Sequence, residues 1–314
     1  MTRPAITALV AGCAGALVAG CAGALAAGCA GAPAARAPGA SRAGLSLAAD
    51  ERMIAVPAGP YIAGSTPEER AAAYEDFEAT SGADTARTER WFEREADHHT
   101  ATLPAFQLDL MPVTQAQFAE FVAVGQVAAP AARAAPGSPG SPGSPGSPGA
   151  PGANDAARFA WSDGRPPGGR EDHPVVLVAW SDADRYCAWR GALRGERRRL
   201  PTAAELEKAA RGDAGGAYPW GSSYEPDKLN SAVRGPGDTT PAGTYIAGAS
   251  PYGVLDLAGN VYHWTATRGS DGRIVVKGSG WQDFAGLGRG AWFDSRPDAA
   301  REPALGFRCA GDAP

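Results

Sequence analysis

Four ionisable residues crowd a short stretch near the end of the chain. Asp283, Arg289, Asp294 and Arg296 follow the turn Gly278-Ser279-Gly280-Trp281. Two carboxylates and two guanidinium groups at that spacing suit either an ion-pair network or a polar cleft for a ligand, with Trp281 as an aromatic wall. Two cysteines are the other chemical candidates outside the N-terminal region, Cys187 and Cys309. Cys187 falls on the inward face of a helical pattern and Cys309 in an apolar strand, so a structural role and a reactive thiol both stay open. The four histidines offer no metal-binding spacing. His98 and His99 are adjacent, so on a strand they point to opposite faces and do not grip one ion, and His173 precedes a proline. No His-Glu-x-x-His, Gly-x-Ser-x-Gly or phosphate-loop motif is present.

Elements with readable punctuation must position these residues. Met53–Val56 reads as a strand stopped by Pro57-Ala58-Gly59-Pro60. Ser65-x-x-Glu68 reads as a capping box opening a polar helix to about Thr80. Thr114-x-x-Gln117 opens a second helix, with Phe118, Phe121 and Val122 on one face. Val175–Trp180 reads as a buried strand, and Ser181-x-x-Asp184 caps a helix that carries Ala183, Tyr186 and Cys187 inward and ends at Gly191. Thr202-x-x-Glu205 caps the next helix, closed by Arg211-Gly212. Short strands at Ile274–Lys277 and Phe307–Ala310 then sit among Gly, Pro and Trp loops. This is an α+β pattern with little regular structure.

Composition narrows the function classes. The chain has 314 residues, 29 Lys+Arg and 34 Asp+Glu, and a formal net charge of −5, which argues against a nucleic-acid partner. Gly (42) and Pro (27) are abundant but unevenly placed. Residues 1–31 contain three Ala-Leu-x-Ala-Gly-Cys-Ala-Gly repeats and resemble a bacterial lipoprotein signal. Val18-Ala19-Gly20-Cys21 fits that signal best, with Cys29 as the alternative acylation site. The expectation is an exported domain held by an N-terminal lipid in the cell envelope, at the outer membrane or the periplasmic face. Residues 32–51 read as a disordered tether. The domain then runs over 52–314, interrupted at 134–155 by a disordered Gly-Ser-Pro insert; growing a loop to that length costs only about 1 kcal/mol of closure entropy.

Six motifs in order carry a family resemblance. They are Met53–Ser65; Pro112-Val113-Thr114; His173-Pro174-Val175-Val176 running into Trp180 and Tyr186-Cys187-x-Trp189; Arg199-Leu200-Pro201-Thr202-x-x-Glu205 with Tyr218-Pro219-Trp220-Gly221; Tyr252-Gly253-Val254-x-Asp256-Leu257-Ala258-Gly259-Asn260-Val261; and Gly306-Phe307-Arg308-Cys309. Over roughly 53–312 the chain resembles the formylglycine-generating enzymes, or sulfatase-modifying-factor domains, a fold related to C-type lectin-like domains. The resemblance implies a disulfide between Cys187 and Cys309; closing a loop of roughly 120 residues stabilises by about 5 kcal/mol in the chain-entropy model. It implies a pair of active-site cysteines holding copper(I), but those positions fall on Asp283 and Gly288, and neither replaces a thiolate. Copper is therefore not expected. It implies a calcium site that would use Asp256 and the carbonyls of Gly259 and Val261, with His263 where the family has a glutamate; imidazole is a poor calcium ligand, so calcium stays open.

The resulting expectation is a sulfatase-modifying-factor-like envelope lipoprotein without the oxidase activity, binding or assembling an envelope protein or peptide. The alternative is an enzyme of the same fold with different chemistry, either a non-thiol oxidoreductase or a factor maturing a secreted protein or peptide. The sequence leaves the oligomeric state open.

Overall fold

The computed structural model describes residues 52–131 and 156–313. The expected signal region at 1–31, with Cys21 and Cys29, the expected tether at 32–51 and the Gly-Ser-Pro insert at 134–155 lie outside the described residues.

In chain order the principal elements are β1 (Met53–Val56), β2 (Gly59–Ala63), α1 (Pro67–Ser81), α2 (Thr85–Thr88), β3 (His99–Leu103), β4 (Phe106–Asp109), α3 (Gln115–Ala123), α4 (Trp180–Arg194), β5 (Arg198–Arg199), α5 (Ala203–Arg211), β6 (Tyr262–Arg268), β7 (Ile274–Lys277), β8 (Phe293–Arg296), β9 (Leu305–Gly306) and β10 (Ala310–Asp312). One four-stranded sheet has the order β1-β4-β10-β5, so the first and last strands both flank β4. β2 pairs with β3, and a second four-stranded sheet runs β8-β7-β6-β9, parallel only at β6–β9. This is the α+β architecture expected from the sequence.

Three helices start with capping boxes, in which a threonine hydroxyl accepts the N3 amide and the N3 side chain accepts the cap amide. At α3 and α5 the pairs are Thr114–Gln117 and Thr202–Glu205, as read from the sequence. At α1 the pair is Thr66–Glu69, one residue later than the expected Ser65–Glu68. Ser65 is buried and spends its hydroxyl on Glu95 instead.

Four other expectations are corrected. Val175–Ala179 is buried but forms no strand. Its amides go to separate partners, Val175 to the Val113 carbonyl at 2.9 Å and Leu177 to that of Glu302 at 3.3 Å, and Leu177 takes a left-handed φ of 60° that breaks any ladder. α4 begins at Trp180 with Ala179 as its cap, so Ser181 lies inside it. Nor does Gly191 end α4: the helix runs to Arg194 and stops at left-handed Gly195. Gly191 serves close packing, because a Cβ there would lie 2.7 Å from both the Arg198 amide nitrogen and the Glu196 carbonyl oxygen. Finally, the expected strand Phe307–Ala310 is split. The Cys309 amide donates to the Asp109 carboxylate at 2.7 Å, and Phe307 offers its carbonyl to the Val113 amide, so only Ala310–Asp312 pairs as β10.

The largest core is aromatic. Phe118, Phe121, Tyr186 and Phe307 meet edge to face or stacked at centroid distances of 5.4–6.0 Å, and Trp264 and Trp292 are fully buried beside the second sheet. Such rings supply much apolar area per residue, which suits a domain with short elements.

Candidate functional site

The turn Gly278–Trp281 and the loop after it carry the positions where the resemblance places the reactive thiols. Gly278 has a φ of 80° and turns the chain out of β7. Asp283 then folds back, so that its carboxylate accepts the Gly280 amide at 2.8 Å. Its other oxygen, Oδ1, is buried without a hydrogen-bond partner. Burial pushes the Asp283 carboxyl up to about 6, against the opposing pull of the Gly280 amide, the Tyr262 hydroxyl and Arg296. Gly288 is packed so closely that a Cβ would lie 3.3 Å from Leu229 and 3.4 Å from the Ser279 hydroxyl.

The residues expected to share a network or a cleft divide into separate groups. Arg296 pairs with Asp294 at 2.7 Å and with Glu302 at 2.9 Å. Arg289 turns the other way and meets Glu95 at 3.1 Å, which in turn accepts from Ser65. Trp281 stacks on Phe159 at 6.2 Å, under the Arg158 guanidinium at 5.2 Å. Exposure of Asp283, Arg289, Arg296 and Trp281 is 1, 2, 5 and 6%, so they are interior side chains rather than the walls of an open cleft.

The Asp256–His263 segment is equally enclosed. Asp256 and Asn260 both take left-handed φ values, 51° and 67°, which compact the chain between them. The Asp256 carboxylate accepts the Gly243 amide at 2.8 Å. Its backbone carbonyl accepts from Arg308 at 2.8 Å and from His263 Nε2 at 2.9 Å. Arg308 also donates to the carbonyls of Asp109, Leu110 and Leu255, at 3.1, 3.3 and 2.8 Å. The Gly259 carbonyl is taken by the Val261 amide at 2.9 Å. Burial and the Arg308 charge hold the His263 imidazole well below its ordinary value, so it is neutral at physiological pH.

Neither metal implied by the resemblance fits these residues. Calcium needs several hard oxygen donors. The segment offers one engaged carboxylate beside a fixed guanidinium, and an imidazole in place of a second carboxylate. Among the described residues no group of three or more His, Cys, Asp or Glu is arranged to hold an ion. Copper(I) needs soft donors, and positions 283 and 288 supply a carboxyl and a hydrogen. The two cysteine sulfurs of the folded region are joined to each other: Cys187 and Cys309 form a buried disulfide with Cα atoms 5.5 Å apart, tying α4 to the residue before β10.

Sequence reasoning missed several interior charges. Lys277 is buried and donates to the Gly290 carbonyl at 2.7 Å, with Glu207 at 3.4 Å. Its place at the end of the apolar run Ile274-Val275-Val276 was the available hint. Glu95 is buried too, but it comes from Glu93-Arg94-Glu95, a run that reads as surface. His98 and His99 are exposed.

An α+β fold of short elements, with two four-stranded sheets and a two-stranded one bound together by aromatic rings and one disulfide, defines a class of scaffold rather than a chemistry. Residues 45–313 match the sulfatase-modifying factor enzyme 1-like domain, and the chain belongs to that family. It is 32% identical over 306 residues to inactive C-alpha-formylglycine-generating enzyme 2 of Mus musculus, covering 87% of this chain and 89% of that protein. It is 36% identical to the formylglycine-generating enzyme of Mycobacterium tuberculosis (57% and 69% covered) and 30% identical to hercynine oxygenase of Mycolicibacterium smegmatis (68% and 45% covered). Among solved structures, PvdO from Pseudomonas aeruginosa superposes with a TM-score of 0.62 at 22% identity, covering 83% of this chain and 94% of that one.

Proposed function

We propose that this chain is a binding or assembly module of the cell envelope that keeps the sulfatase-modifying-factor scaffold without its thiol oxidase chemistry. One observation carries the reading: the positions where the resemblance places the thiols hold Asp283 and Gly288, and the only cysteines beyond residue 31 are spent in the buried Cys187–Cys309 bridge. A carboxyl and a hydrogen can neither bind copper(I) nor exchange with a client thiol. Similarity to a protein named as inactive supports the same reading. The Val18–Cys21 motif supports export and lipid anchoring, and among the described residues no helix is long and apolar enough to cross a membrane. The partner is an envelope protein or peptide.

The decisive assay gives the full chain a Cys-x-Pro-x-Arg peptide with oxygen and copper(I). No aldehyde is expected, and aldehyde in the peptide overturns the reading. Labelled palmitate tests the anchor: incorporation is expected in the wild-type chain and in Cys29→Ser, and is lost in Cys21→Ser.

A second reading, an enzyme with different chemistry, draws on the 30% identity to a hercynine oxygenase. Stoichiometric iron that stays with the purified chain through dialysis against a chelator would favour it.

A further inference from the structure

We propose that the small cavity behind the Gly278 turn holds one buried water that joins His263 to Arg289. The cavity measures about 10 Å³ and is bounded by His263, Lys277, Gly278 and Arg289 beneath Leu206 and Ala210 of α5. That is about the room a single water requires. Two of its residues bring buried side-chain nitrogens with no partner in the fold, Nδ1 of His263 and Nη2 of Arg289. Both residues are at most 2% exposed.

The two nitrogens have complementary needs. His263 Nε2 lies 2.9 Å from the Asp256 carbonyl. Arg308 Nη2 lies 3.1 Å from the same nitrogen, but its two protons go to the Leu255 and Asp256 carbonyls, each at 2.8 Å; a carbonyl only accepts, so the proton sits on Nε2 and Nδ1 presents a lone pair. Arg289 Nη2 can only donate, and its neighbour Nη1 is already committed to Glu95. A water accepts from Arg289 and donates to His263, and so satisfies both. Left empty, the cavity would strand two buried polar groups, each at a cost of about 1–3 kcal/mol.

Charge selects water over a small anion. The cations nearest the cavity are already balanced, Arg289 by Glu95 and Lys277 by Glu207, and the His263 lone pair repels a negative ion. The water also has a structural consequence. It joins the Ser65–Glu95–Arg289 chain to the His263–Asp256–Arg308 chain, linking residues from both ends of the fold across the loop that carries Gly288.

The test is nitrogen-15 NMR on the full chain with labelled histidine, four residues in all. The expected His263 signature is a protonated Nε2 and a bare Nδ1 whose resonance is shifted upfield by hydrogen bonding, with cross-relaxation to a long-lived water. His263→Phe assigns the signal by its loss. Bromide-soaked crystals supply an arm that needs no variant: ordinary water density within hydrogen-bonding distance of both nitrogens is expected. A protonated Nδ1, a free lone-pair shift, a dry cavity, or an anomalous bromide peak there would each overturn the proposal.

Discussion

Sulfur is used in one region of this domain and absent from another. At the α4–β10 pole, Cys187 and Cys309 lie among Phe118, Phe121, Tyr186 and Phe307, and the bridge adds a covalent tie to an aromatic core. At the 278–290 loop, where the resemblance would place a cysteine pair, the side chains carry buried charge instead. Asp283 is folded back on Gly280, Arg289 is locked to Glu95, and Lys277 is capped by two carbonyls. The first region gains its stability from apolar area and a restricted unfolded chain. The second is held by ion pairs whose desolvation cost offsets much of their attraction. Buried pairs of that kind add little net stability when intact and cost a great deal when one partner is removed, so the two regions should respond differently to mutation.

Breaking the disulfide should give the largest effect. It closes a sequence separation of 122 residues, so Cys187→Ala/Cys309→Ala is expected to lose about 5 kcal/mol at most in the chain-entropy model. Denaturant titration checks this; a loss under about 1 kcal/mol would show that the aromatic core alone fixes this pole. At the polar region, Glu95→Leu strands the Arg289 charge and should cost about 3 kcal/mol. Adding Arg289→Met should recover most of that loss. If the double variant is as unstable as the single one, the pair itself, rather than its stranded half, supports the loop.

These differences also explain what the sequence could reveal. The capping boxes at Thr114 and Thr202 were legible because a cap is a local pattern of fixed spacing, and the aromatic face of α3 because its period is 3.6 residues. The family motifs were legible because they are contiguous. The Val175–Ala179 segment misled because a buried apolar run looks the same whether its amides find a neighbouring strand or scattered carbonyls. Gly191 misled because a glycine chosen for close packing looks like one that ends a helix. Within the candidate site, Asp283 and Gly288 could be placed by counting from Trp281. The partners of Arg289 and Lys277 could not: Glu95 is 194 residues from Arg289, and Glu207 is 70 from Lys277. No local pattern reports contacts at such separations.

Titration sharpens the comparison within the polar region. Burial raises the Asp283 carboxyl from 3.8 to about 6, and raises Asp109, beside Cys309, equally. In the fold each holds its proton to about pH 6, whereas the unfolded chain releases it near pH 4. Their favourable contribution is therefore full below about pH 4 and is lost as pH rises through 6. His263, pushed the opposite way, loses stability as pH falls below 6.5. The wild-type curve mixes these signs, so the clean observable is a difference. Asp283→Asn copies the neutral carboxyl and should be more stable than wild type by at most about 3 kcal/mol at pH 7. The gap should close as pH is lowered to 4. A gap that does not change with pH would mean that Asp283 keeps an ordinary carboxyl.

The smallest expected effect concerns the sulfurs themselves. Asp283→Cys/Gly288→Cys returns thiols to both positions. The side chain at 283 is smaller and less polar than the one it replaces, and the one at 288 must push Leu229 and Ser279 back by a few tenths of an ångström, so a modest stability cost of about 1 kcal/mol is expected. Activity toward a cysteine peptide should nevertheless remain undetectable. Position 283 is 1% exposed, and Trp281 beside it is stacked under Phe159 and Arg158. A client thiol has no path to a sulfur placed there, and a copper ion held by it would be cut off from substrate. Aldehyde formation by the double variant, measured beside the unmodified chain, would show that the scaffold retains a working approach to the loop and lacks only its sulfurs. Continued silence with both thiols titratable in the unfolded chain would show that the interior has been rebuilt around charge as well.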